Sequence, residues 1–117
     1  MSHTMDIKID IHDLRALEAA CRRLHIHLKY GEHRLYASTE TGNGIFLEGW
    51  RYPVVIQEGG GAKYDNYGGS WGKIEKLHEL EAYYGLEKAK FEAQLKGYDF
   101  QETVSAENMP RLEIYIN

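Results

Sequence analysis

The sequence predicts an α+β fold: an antiparallel sheet with two main helices on one face, its elements in the order β-α-β-β-β-β-α-β-β. Three observations carry that expectation. Residues 71–97 form the one run with sustained helical periodicity, because Ile74, Leu77, Leu80, Tyr84, Phe91 and Leu95 recur at spacings of three, four or seven while lysines and glutamates fill the other faces. Shorter segments on either side alternate apolar and polar residues, the period of a strand with one buried face. The helical stripe has to be buried on something, and those strands supply the sheet. A chain of 117 residues has room for one real core, so residues 1–117 are expected to form one domain.

In chain order, Ile7, Ile9 and Ile11 alternate with Lys8 and Asp10, which makes residues 5–11 the first strand. Asp13 is placed to cap a helix whose Leu14, Leu17, Ala20, Cys21 and Leu24 share a face, with Arg15, Glu18, Arg22 and Arg23 outward. In residues 25–30 Ile26, Leu28 and Tyr30 alternate with His25, His27 and Lys29, and Gly31 breaks that strand toward Leu35, Tyr36 and Ala37. Residues 41–44 read as a turn. Short strands are then expected at 45–47 and 54–57, with Pro53 at a strand start or edge, and a further one at 63–67 after the triple glycine 59–61. Ser70 can cap the long helix and Gly97 can end it, while Gly85 costs about 1 kcal/mol relative to alanine and predicts a kink or break near residues 84–86. Residues 98–104 and 111–116 close the chain as two strands, with Leu112, Ile114 and Ile116 toward the core.

Composition narrows the classes of function. Fourteen Lys and Arg against 18 Asp and Glu give a formal net charge of -4, whereas duplex-binding proteins carry a basic face, so no nucleic-acid partner is expected. No apolar run approaches the roughly 18 to 20 residues of a membrane span, and the start lacks the apolar stretch of a secretory signal. A cytoplasmic protein is expected. The single cysteine, Cys21, sits among Leu17, Ala20 and Leu24 and reads as a buried small hydrophobe rather than a nucleophile. Nine tyrosines and twelve glycines, nine of the latter between Gly42 and Gly72, are the compositional departure.

A family resemblance rests on particular residues. Met1-Ser2-His3, the Ile7-Lys8 strand, Asp13-Leu14 with Ala16-Leu17 and Ala20-Cys21, then Tyr84-Gly85, Lys88-Ala89, Glu92-Ala93 and Lys96-Gly97-Tyr98 before Leu112 and Ile114 belong to it. Together they resemble the domain-of-unknown-function family related to the plastid and cyanobacterial open reading frame Ycf-thirty-five, in particular its bacteriophage members. That resemblance implies a small α+β protein, often phage-encoded, and brings no activity or catalytic residues with it. The chain departs from the family's short Asp-Gly hairpin before the last strand, having Glu107-Asn108-Met109-Pro110 there.

For chemistry, His25 and His27 lie two apart on one expected strand face, with His3 and His12 able to approach, yet no carboxylate or cysteine stands at a ligand spacing. A solvent-facing histidine pair is the simpler reading, and no metal or cofactor is expected. No nucleophile elbow, H-E-x-x-H or Walker run is present, and His78 with Glu75 and Glu79 reads as a solvated helix face. The glycine and aromatic region is the candidate site. Gly68-Gly69-Ser70-Trp71-Gly72 opens the long helix, so its amides are expected to meet an anion at a positive helix end, with Arg51, Lys63 and Lys73 nearby and Tyr64, Tyr67 and Trp71 to stack on a base. The plain alternative is that the glycines make loops and the rings cap the sheet. The functional expectation is a non-catalytic binder of a small anionic, nucleotide-like ligand such as a host defence signal. A module that inhibits or assists a larger host or viral protein and a small enzyme are the other classes. A homo-oligomer, a dimer first, is expected to cover the sheet's other face or an exposed edge strand.

Overall fold

The computed structural model describes residues 5–7, as strand backbone, and residues 10–116. Its elements follow the expected order: β1 (Met5–Ile7), α1 (Leu14–Arg23), β2 (His27–Arg34), β3 (Thr39–Phe46), β4 (Val54–Ile56), β5 (Ala62–Tyr64), α2 (Ile74–Leu95), β6 (Asp99–Val104) and β7 (Pro110–Tyr115). The fold is α+β. Every strand pair is antiparallel, but the strands divide into two sheets, one of five in the order β1-β5-β4-β3-β2 and one of two, β6-β7.

On one face of the large sheet Ile45, Val54, Ile56, Ala62 and Tyr64 join Ala16, Leu17, Ala20 and Cys21 of α1 and Leu77, Leu80 and Tyr84 of α2 in a single buried cluster. Asp13 starts α1 by accepting the Ala16 amide at 3.1 Å, and its own amide donates to the Tyr84 hydroxyl at 3.1 Å, which fastens the start of one helix to the middle of the other. Burial raises the Cys21 thiol to about 11, helped by Glu18, so it stays protonated at neutral pH.

Several local expectations are corrected. The strand expected from His25 begins at His27, because His25 takes a left-handed conformation (φ 57°) where α1 ends: its amide reaches the Arg22 carbonyl at 3.3 Å and that of Ile26 the Cys21 carbonyl at 2.8 Å. Gly31 does not break β2, and the turn expected at 41–44 lies inside β3; the chain reverses at Leu35, whose amide donates to Ser38 O at 2.7 Å. Gly44 is needed for close approach instead. A Cβ there would stand 2.5 Å from the His33 ring. The strand expected at 63–67 is Ala62–Tyr64, and the first strand is described only over 5–7, so Lys8 and Ile9 lie outside the described residues.

α2 differs from its expected form in three ways. It starts at Ile74, with Lys73 at the N-cap position and no side-chain capping bond, so Ser70 does not cap it. It runs through Gly85 without interruption. Its burial is two-sided: Leu77, Leu80 and Tyr84 face the core, whereas Leu86 and Ala93 are buried outside that cluster, on the side where the β6-β7 ribbon packs, and Leu95 is 83% exposed. Gly97 ends it as expected, with φ 73°, its amide on Gln94 O and that of Tyr98 on Ala93 O. Ile114 and Ile116, expected in the core, are exposed on the ribbon.

Arg23 of α1, Glu87 and Lys90 of α2 and Glu102 of β6 form one charge cluster that joins the ribbon to both helices. Arg23 grips both Glu102 oxygens and reaches Glu87 at 3.3 Å, while Lys90 reaches Glu87 at 3.1 Å and Glu102 at 3.0 Å. The Arg23 hydrogen bond, with Lys90, holds the Glu102 carboxyl down at about 2. Burial alone would lower the Lys90 pKa, but its bonds to the two glutamates outweigh that and raise it.

Candidate functional site

The loop from Asp65 to Lys73 connects the large sheet to α2, and its backbone is closed on itself. The amides of Gly69 and Trp71 donate to Asn66 O, that of Ser70 to Tyr67 O and that of Gly72 to Gly69 O, at 2.9 to 3.4 Å. Asn66 adds a side-chain bond to Gly72 O at 3.2 Å. Of the expected anion seat at residues 68–72, the amides of 69–72 already have acceptors within the loop, and the stretch does not open α2, since a short 3-10 turn at Tyr67–Gly69 precedes the helix start at Ile74. Asp65, fully buried, anchors the loop's entry by accepting the Tyr67 amide at 3.3 Å.

The loop's rings do come together. Trp71 stacks on Tyr67 with centroids 4.8 Å apart, meets Tyr36 at 5.2 Å and Tyr52 edge-on at 5.6 Å, and lies under the Arg51 guanidinium at 4.9 Å. Arg51 is set in place by its own amide, which donates to Trp71 O at 2.8 Å. Tyr36 arrives from the β2-β3 hairpin tip and Tyr52 from the β3-β4 connection, and neither was anticipated for the site. Both lie far from the loop in the chain, and only the alternating turn residues around them gave any hint. Trp71 is half-buried by its neighbours, and the more exposed rings are Tyr36 and Tyr67, at 53% and 40% exposure.

Two expected members stand elsewhere. Tyr64 is buried in the core, edge-on to Trp50 at 5.5 Å, with its hydroxyl pKa raised by burial and then by Glu81, so its ring is closed to a ligand. Lys63, paired in register with Val55 and Gly44's face of the sheet, lies 3.8 Å from Glu40 on the side away from the helices.

The cations at the loop's end are Lys73 and Lys76. With Glu48, Gly49, Gly69, Ser70 and Gly72 they line a cleft of about 310 Å³, at the small end of the roughly 300 to 1,000 Å³ of ligand pockets. Trp50 forms the wall behind it: its ring lies where a Gly72 side chain would be, and its Nε1 donates to Lys73 O at 3.0 Å. Lys73 is an unfavourable N-cap in two respects, having no oxygen to accept an amide and placing a cation at the positive helix end. Arg51, Lys73 and Lys76 make no ion pair among the described residues. The arrangement offers cations without ion-pair partners among the described residues beside the start of α2, and exposed rings contributed by the loop and by the β2-β3 hairpin.

Among the described residues the histidines expected near one another stand apart. His25 sits in the turn after α1, His27 packs on Phe46 at 5.4 Å, His12 pairs with Asp10, and His3 lies outside the described residues. No group of three or more metal-ligating side chains occurs among the described residues, and no described helix is long and apolar enough to cross a membrane. No protein-family model, curated protein or solved structure matches the chain.

Proposed function

We propose that this is a non-catalytic binding protein, of the phage-encoded kind its sequence resembles, that captures a small anionic, nucleotide-like ligand such as a host defence signal. The observation that carries the reading is Lys73. A residue that neither caps its helix nor suits the charge there is a local conflict of the sort that persists where a site requires it. An anion in the cleft removes the conflict, since it neutralises Lys73 and Lys76 beside the positive start of α2. A base bound beside it stacks on Tyr67 or Tyr36, and Arg51 adds directed donors.

Calorimetric titration with mono-, di- and cyclic nucleotides tests the reading, with inorganic phosphate as the comparison. Binding is expected to weaken by about ten- to hundredfold in Lys73→Ala or Lys76→Ala, the loss of one charge-assisted hydrogen bond of about 1.5 to 3 kcal/mol. Tyr67→Ala is expected to weaken nucleotides but not phosphate. No heat from any nucleotide at about 0.1 mM protein, a concentration that detects even weak complexes, removes the reading.

A further inference from the structure

We infer that the outer edge of β7 pairs with the same edge of a second copy, joining two β6-β7 ribbons into one four-stranded antiparallel sheet. This goes beyond the ligand reading and does not depend on it. The phase of the ladder comes first. Ser105 N–H donates to Met109 O at 2.8 Å, so Ser105 and Met109 form a hydrogen-bonded pair. Alternation then makes Thr103–Arg111 and Gln101–Glu113 bonded pairs, and Val104–Pro110, Glu102–Leu112 and Phe100–Ile114 non-bonded ones. The peptide groups of Leu112 and Ile114 therefore point away from β6, where no described strand receives them.

Of the ribbon's two edges, β7 is the open one. At β6 Glu102 is held by Arg23 of α1 and by Lys90 of α2, which ties that strand to both helices, whereas β7 packs on α2. Along β7, Ile114, Tyr115 and Ile116 are 41%, 46% and 73% exposed. Pro110, at the strand's near end, lacks an N–H, so in a pairing with a second copy it offers its carbonyl but no amide and the ladder rests on Leu112 and Ile114. Two strands alone are marginal, and a second copy makes four.

Charge chooses the register. A two-fold pairing requires that residue i face j and j face i. Centred on Leu112, it sets Arg111 against the partner's Glu113 and Glu113 against the partner's Arg111, at the non-bonded positions where side chains come closest. Centring on Arg111 opposes two arginines, and centring on Glu113 opposes two glutamates. Centring on Ile114 faces Glu113 with a tyrosine. In the charge-matched register Leu112 and Ile114 of both copies lie on the side of the sheet that carries Glu102, toward α2.

Sedimentation equilibrium is the test. The expected mass is about 27 kDa, twice the 13.5 kDa of the chain. Arg111→Glu alone and Glu113→Arg alone should each raise the dimer dissociation constant by about tenfold or more, and the double exchange should restore it to within about threefold. Ile114→Lys, which puts a charge into the seam, should give a monomer with an unchanged circular dichroism spectrum. A monomer mass up to about 100 μM overturns the proposal, as does a dimer that ignores both single exchanges. Nucleotide titration of the Ile114→Lys monomer keeps failure here separate from failure of the ligand reading.

Discussion

The two helices are built with opposite faults. α1 begins on Asp13, whose carboxylate holds the Ala16 amide, but it ends on His25, a branched ring side chain in a left-handed position. α2 begins on Lys73, which holds no amide, carries Gly85 in its middle and ends on Gly97, the residue best suited to that same position. Both C-termini use the same pair of reversed hydrogen bonds. The difference teaches that hydrogen-bond geometry, not residue type, decides where a helix stops, while residue type sets how much the stop costs. Tertiary packing covers both faults: Tyr84 fastens α2 to the start of α1, and Arg23 fastens the last turn of α1 to Glu87 and Glu102.

That last fastening gives the largest expected effect. Glu102 titrates at about 2 in the fold against an ordinary 4.5, so it favours the folded state at and above about pH 4.5, and the contribution disappears as the pH falls toward 2. Partial exposure limits it to on the order of 2 kcal/mol. Urea midpoints of wild type and Glu102→Gln should differ at pH 6 and converge near pH 2; a constant gap would remove the assignment.

Gly97→Val should follow, destabilising by about 1 to 2 kcal/mol because a Cβ opposes the left-handed conformation. A melting temperature that does not fall would show that the helix ends elsewhere. Asp13→Ala should cost about 1 kcal/mol through loss of the cap. The reverse change at the other fault is a gain: His25→Gly should stabilise by about 1 kcal/mol, measured by urea unfolding, and a loss would mean that the imidazole makes a contact worth more than the strain. Smallest is Gly85→Ala, a gain of just under about 1 kcal/mol, since a Cβ there meets nothing within 4 Å. If it is neutral, the helix is already relaxed at that turn.

The pattern of periods was enough to order the elements, although β6 and β7 carry the alternation without burying a full face and β4 is buried throughout. What it could not reveal was a change of direction. The stripe through Leu77, Leu80 and Tyr84 was legible, but Leu86 and Ala93 were not, since a helix covered on two sides loses its single apolar face. His25 was read with the strand it precedes because alternation is blind to φ. Gly42 and Gly44 suggested a turn, although Gly44 is there to admit the His33 ring. At the candidate site Tyr67, Trp71 and Lys73 are legible as neighbours along one short loop, whereas Arg51 reaches Trp71 from across β4 and β5. Tyr36 and Tyr52 reach Trp71 only through the curl of the sheet, and the burial of Tyr64 depends on which strand face the helices choose.

The glycines that receive rings carry a consequence for how this sequence can drift. His33 lies over Gly44, His12 over Gly60 and Trp50 over Gly72, each ring filling the space of an absent side chain. At Gly44 and Gly72 neither member changes without cost: alanine at the glycine meets the ring, and a small residue in place of the ring leaves a hollow over bare backbone, whereas His12 is largely exposed and can swing off Gly60. The His33–Gly44 and Trp50–Gly72 couples are thus energetically tied, and an exchange of both members together costs less than either alone.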